Sequence, residues 1–215
     1  MGRSWDAKPK IVDHHVRAPW EETMKYMLST ALGMILAAGL FGQEYRLGSS
    51  VTDFTVSSFS GTPVSFSSLR GDLTVVMFIA TQCPISNSYN DRMKAVYSEY
   101  VPKGVKFVVI NSNSTEPAAE VRLHAATHSF PFAVYKDVDN VVADRFGVQV
   151  TPETFVIGKS GAILYHGAID DSQNAANVKT PGLRLALDAV LSGQSIARVE
   201  TKAFGCAIKR VKRSS

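Results

Sequence analysis

The chain has 215 residues, 45% of them hydrophobic and 20% charged, the balance of a soluble globular protein with its own core. That excludes a disordered chain, a collagen-like chain and a multi-span membrane protein, and two cysteines are too few for a disulfide-rich scaffold or a four-ligand zinc ribbon. The formal net charge of +4 lies largely near the C-terminus, so no nucleic-acid partner is expected.

From Tyr26 to Gln43 there is no charged residue, and MLSTALGMILAAGLF is almost wholly apolar. Spanning a bilayer takes roughly 17–25 residues, so the run suits an N-terminal membrane anchor or the apolar core of a signal peptide. Met24-Lys25 supplies a short basic start and a candidate translation start, while Trp5 and Trp20 both precede the run. An amphipathic or buried helix of the domain is the alternative. The expected division is an N-terminal extension over residues 1–43 and a domain over 44–215, with an exported, periplasmic or membrane-tethered location.

Phe54-Thr-Val and Pro63-Val-Ser-Phe predict a small leading hairpin. Leu73 to Ala80 (LTVVMFIA) is a continuous apolar, β-rich run, as expected for a strand buried on both faces. The apolar spacing of Tyr89, Met93, Val96, Tyr97 and Tyr100 predicts a helix over 86–100, ended by Pro102-Lys103-Gly104. Val105 to Ile110 reads as a second buried strand. A helix over 117–128 would have Pro117 in its first turn and Ser114 or Thr115 as its cap. A short strand over 132–135 and a short helix over 138–146 follow. Thr154 to Ile157 and Ala162 to Tyr165 flank the hairpin loop Gly-Lys-Ser-Gly, and a last helix over 181–191 is capped by Thr180. This order predicts an α/β fold, a central mixed sheet with helices on both faces.

The chemistry points to Cys83, just past a buried strand, with Pro84 opening the next helix. A thiol at a helix N-terminus meets free N–H groups and the positive end of the helix dipole, which favours thiolate and lowers its pKa below about 8.5. An inert buried cysteine is the alternative. His124 and His128 lie four apart on a helix, yet no third ligand is supplied, so no metal is assigned. Asp170-Asp171 reads as a turn or cap. A Cys-x-x-x-Cys copper site is excluded because the fourth residue after Cys83 is Asn87.

A strand, Cys-Pro at a helix start and a much later Thr151-Pro152 before a strand resemble the thioredoxin fold. More closely, residues 51–210 resemble the peroxiredoxin-like, or redoxin, branch of the alkyl hydroperoxide reductase/thiol-specific antioxidant family, through CPISNSYNDRM at 83–93, VVINSNS at 108–114, FGVQVTPETFVI at 146–157, YHGAIDD at 165–171 and GCAIKR at 205–210. The resemblance implies a three-layer thioredoxin-like fold, a cis Thr151–Pro152 peptide beside Cys83, and a thiol-disulfide oxidoreductase or peroxiredoxin-like peroxidase. Cys83 would be the nucleophile toward a peroxide or a protein or small-molecule disulfide. Cys206, on a mobile C-terminal segment, would be the resolving thiol, and a thioredoxin-like partner the reductant, with no cofactor required. Thr81, Pro84, Thr151 and Pro152 would position substrate, and Arg92 and Arg145 are the candidates for an activating arginine.

The departures from pattern are specific. The second cysteine of a thioredoxin Cys-x-x-Cys is replaced by Ser86. The proline and threonine that peroxiredoxins carry seven and three residues before the cysteine are Val76 and Ala80, with Thr81 two residues before it. They support the alternative, a non-catalytic binding module on the thioredoxin fold with a structural Cys83–Cys206 disulfide.

Overall fold

The computed structural model describes residues 1–2 and 45–212. The expected signal or anchor segment over 26–43 lies outside the described residues. Among the described residues no helix is long and apolar enough to cross a membrane.

Among the described residues nine strands form two sheets: β1 (Thr55–Ser57), β2 (Pro63–Ser65), β3 (Leu73–Ile79), β4 (Lys106–Asn111), β5 (Val134–Lys136), β6 (Val150–Thr151), β7 (Glu153–Gly158), β8 (Ile163–Gly167) and β9 (Cys206–Ala207). The α-helices among these residues are α1 (Phe66–Leu69), α2 (Pro84–Asn87), α3 (Asn90–Tyr100), α4 (Ala118–Thr127), α5 (Val141–Arg145) and α6 (Gly182–Leu191). The large sheet runs β2-β1-β5-β4-β3-β7-β8, and the small one is β6-β9. At the centre, Val76 pairs with Val108 in parallel β4 and with Phe155 in antiparallel β7.

Every residue of β3 is buried, because both faces of the sheet are covered. Val75, Met77 and Ile79 face one core with Met93, Val96 and Tyr100 of α3 and Leu183, Ala186 and Leu187 of α6. Val76 and Phe78 face the other, with Phe66, Val142, Ala143 and Phe146. The mixed sheet between helical layers is the three-layer fold expected, and the leading hairpin is present as Val56 opposite Val64.

Three elements differ from the sequence expectation. The helix over 86–100 is two helices, one turn at Pro84–Asn87 and then Asn90–Tyr100. Between them the Tyr89 amide donates to the Ser86 carbonyl (3.0 Å), a tightened i→i+3 turn. Pro117 is the N-cap residue of α4 rather than part of its first turn, no side chain caps that helix, and the Ser114 amide instead donates to the Lys209 carbonyl (2.8 Å). Likewise α6 begins after Pro181 without a cap from Thr180. Proline stands at both starts with a non-helical backbone, extended at Pro117 and with ψ 73° at Pro181, so a polar cap is not what sets them.

Candidate active site

The path to the site begins at the end of β3, where the chain turns out of the sheet. A buried carboxylate holds this turn: Glu116 accepts from the amides of Thr81 (2.8 Å) and Gln82 (3.0 Å). Its remaining capacity is taken by the side-chain amides of Asn111 and Asn113 (2.8 Å to Asn113). Burial pushes the Glu116 carboxyl up, but these donors outweigh it and hold the carboxyl below its ordinary value. Lys136 donates to the Glu116 and Asn113 carbonyls and to the Asn111 side chain; burial draws its ammonium down against the raising effect of the Glu116 charge. This network was not legible in the sequence. Its only trace was the polar run 111–114 beside an apolar strand.

The turn delivers Cys83 to the N-cap of α2, where it is 3% exposed. The Ser86 amide points at the Cys83 Sγ (3.2 Å), and the Thr151 carbonyl oxygen lies 3.6 Å from the same sulfur. Because α2 is a single turn, the local N–H of Ser86, more than a long helix dipole, is what faces the sulfur. Ser86 itself is fully buried, and its hydroxyl accepts from the Ala80 amide (3.1 Å). The residue in place of a second cysteine therefore closes the end of β3.

Cys206 is joined to Cys83 by a disulfide, with a Cα–Cα distance of 5.8 Å across a sequence separation of 123. The Thr151–Pro152 peptide is cis, and Thr151 faces Cys206 across the β6–β9 ladder while Val150 faces Ala207. The segment that carries Cys206 is fastened on both sides. Before it, the Thr201 amide donates to the His166 carbonyl (3.0 Å), and the Thr201 hydroxyl meets Tyr165 Oη (2.7 Å) and the Ala168 amide (3.0 Å). After it, Ile208 is buried and its amide donates to the Gln149 carbonyl (3.1 Å). The Lys209 amide donates to Asn113 Oδ1 (2.7 Å), the Val211 amide to Asn140 Oδ1 (2.8 Å), and Arg210 pairs with Asp144 (2.8 Å). The tail expected to be mobile is a docked strap. Composition marked it as a basic tail, and only these scattered partners reveal the docking.

The remaining candidates are placed as follows. Pro84 is exposed at the first position of α2, and Pro152 is buried behind Thr151. The Thr151 hydroxyl is buried without a hydrogen-bond partner among the described residues. The Thr81 hydroxyl donates to Glu120 (2.9 Å). Arg92 stacks on the Tyr89 ring (3.6 Å to the centroid) and donates to both oxygens of Asp170 (2.7 and 2.8 Å), so its guanidinium fastens the 170–173 turn to α3. Arg145 donates to the Asp53 carbonyl (3.1 Å), Tyr45 Oη and Thr52 Oγ1. Neither arginine has a hydrogen bond to Cys83. The His124 and His128 rings touch at a tilt of 47° with centroids 4.3 Å apart, and among the described residues no three metal-ligating side chains cluster.

The AhpC/TSA family model matches residues 47–166, more than half of the sequence. The chain belongs to the AhpC/TSA family. In this AhpC/TSA chain the match takes in Cys83 and the cis-proline loop and ends before the strap with Cys206. The thiol-disulfide oxidoreductase ResA of Halalkalibacterium halodurans is 26% identical over 140 residues, which are 64% of this chain and 78% of that protein. An uncharacterized conserved protein from Geobacillus kaustophilus superimposes with a TM-score of 0.73 at 29% identity, covering 80% of this chain and 95% of its own. A hypothetical protein from Sinorhizobium meliloti gives a TM-score of 0.71 at 26% identity, covering 79% and 97%.

Proposed function

We propose that the protein is a thiol-dependent oxidoreductase whose redox pair is Cys83 and Cys206. The observation that carries this reading is the disulfide itself: it joins the cysteine at the N-cap of α2 to one that lies 123 residues away in sequence, beside the Thr151 carbonyl. Membership of the AhpC/TSA family and the ResA relatives support it. The Cys83 thiolate, facing the Ser86 amide, attacks a peroxide oxygen or a disulfide sulfur. With a peroxide it becomes a sulfenic acid and an alkoxide or hydroxide leaves; with a disulfide it forms a mixed disulfide and a thiolate leaves. The Cys206 thiol then attacks Cys83, closing the Cys83–Cys206 disulfide and expelling water or the second thiol. A thioredoxin-like dithiol returns two electrons.

In this reading the Thr151 carbonyl, with Pro152 behind it, borders the space in which the reacting substrate atom meets Cys83. Thr81 and Pro84 set the turn that presents Cys83, and Arg92 and Arg145 support the site from a distance through the 170–173 turn and the 45–53 segment. The apolar run over 26–43 supports an exported protein, with an extension over 1–43 and the redox domain over 44–215. N-terminal sequencing of protein from its native host tests that location: a start near residue 40–43 supports a cleaved signal, and an intact N-terminus in a soluble cytosolic protein overturns export.

The functional test is stoichiometric oxidation of the reduced protein followed by mass mapping. Wild type forms the intramolecular Cys83–Cys206 bond, and Cys206→Ser accumulates sulfenic acid or an adduct at Cys83. A pair that reacts with neither peroxide nor disulfide, with a reduction potential below about −300 mV, would instead mark a structural bridge on a binding module.

A further inference from the structure

The strap occupies a defined place. Residues 206 and 207 take the antiparallel edge of β6, which among the described residues pairs with no other strand. A Cβ added at Gly205 would collide with the Thr151 carbonyl, so backbone lies directly on backbone there. A polypeptide that brings a cysteine sulfur to Cys83 must place its Cα within about 4.4–6.8 Å of the Cys83 Cα, the range a disulfide permits. That is where the Cys206 Cα already sits, at 5.8 Å. The same polypeptide must satisfy its own backbone groups, and the β6 edge is what an extended segment would pair with.

The strap's other fasteners involve no sulfur. Thr201 upstream, and Ile208, Lys209, Arg210 and Val211 downstream, are held by hydrogen bonds and burial to which neither sulfur contributes. Reduction removes one tether among several.

We propose that residues 205–207 are a built-in strand that fills the polypeptide subsite in both redox states, so that the dithiol protein reacts with small disulfides and is closed to extended polypeptide ones. This rests on the thiol oxidoreductase reading and names the substrate class of the same site. In each reaction the Cys83 thiolate attacks the substrate sulfur, a mixed disulfide forms and one thiolate leaves. Cys206 then attacks Cys83 and releases the second thiolate, so the substrate disulfide gains two electrons and the protein dithiol loses two electrons and two protons. An electron donor meets the oxidised protein at Cys206, the half-buried partner, without needing the β6 edge.

The test compares two disulfides with the same leaving group. One is 5,5′-dithiobis(2-nitrobenzoate). The other is a capped dodecapeptide whose central cysteine is bonded to 5-thio-2-nitrobenzoate. Reduced full-length wild type should release the chromophore from the small disulfide about 30-fold faster or more, the factor set by displacing two hydrogen bonds of the strap. Gly205→Ala, which lifts the strap off Thr151, and Arg210→Ala, which removes an exposed downstream fastener, should each lower that ratio at least about fivefold. Arg210→Ala keeps the test decisive if Gly205→Ala fails to fold. Wild-type rates within threefold of each other, or ratios unchanged in the folded variants, would overturn the proposal. No release from the small disulfide by wild type would also overturn the proposal, and if stoichiometric peroxide then leaves Cys83 unoxidised as well, the oxidoreductase reading itself falls.

Discussion

Thr151 and Cys206 face each other across a two-residue antiparallel ladder, so the backbone that lies beside the first sulfur also holds the residue that carries the second. Local structure near Cys83 therefore cannot be separated from the far end of the chain, and the disulfide should report on both.

Reduction of that disulfide should lower stability by about 4–5 kcal/mol, the loop-closure entropy of a bridge spanning more than 100 residues. Chemical denaturation of oxidised and reduced protein measures it. An unchanged midpoint would mean that the reduced unfolded chain is as constrained as the bridged one.

Ser86→Ala should cost about 1–3 kcal/mol, because the buried Ala80 amide loses its acceptor. The Ser86 amide remains in place, so oxidation to the Cys83–Cys206 disulfide should persist. A variant as stable as wild type would show that the Ala80 amide finds another partner.

Glu116 gives a pH dependence with a definite sign. Its native carboxyl titrates below its ordinary value, so its stabilising contribution is fully present above that value, about 4.3, and is lost as pH falls through the lower native one. Glu116→Gln should therefore destabilise by about 3 kcal/mol at neutral pH, where it leaves Lys136 without the strongest of its three neighbouring carboxylates and the Thr81 and Gln82 amides with a weaker acceptor. The difference between variant and wild type should shrink below pH 4. Asp137, raised chiefly by burial, runs in the opposite direction in both proteins and cancels in the comparison. A pH-independent difference would refute the assignment.

Phe146→Ala should cost about 3–5 kcal/mol. The ring is 2% exposed and packs edge-on against Tyr45 (4.9 Å between centroids), Phe54 (5.7 Å) and Phe155 (4.9 Å). Calorimetry reads the effect as a lowered Tm, and a small loss would mean that this core collapses around the gap.

Periodicity alone located β3, β4 and the paired strands β7 and β8, because a strand buried on both faces must be apolar throughout and a hairpin must carry turn residues. The Cys83-Pro84 step was equally legible, since proline opens a helix, and the Thr151-Pro152 step was legible through its resemblance to the cis-proline loop of the thioredoxin fold. The break after Asn87 was not. It depends on Ser86 turning inward to close β3, a contact with a residue six positions earlier that apolar spacing does not encode.

What only the tertiary structure decided is the second half of the site. Cys206 sits in a short segment with neither helical nor alternating pattern, and its position is fixed by Thr201, Gly205, Ile208 and Lys209 meeting partners on β8, the Thr151 loop and Asn113. Those partners are 33 to 96 residues away in sequence, and each contact is a single hydrogen bond or one close approach. A sequence displays regular repetition and local backbone restriction. It does not display the sum of isolated long-range contacts, and that sum holds Cys206 against Cys83.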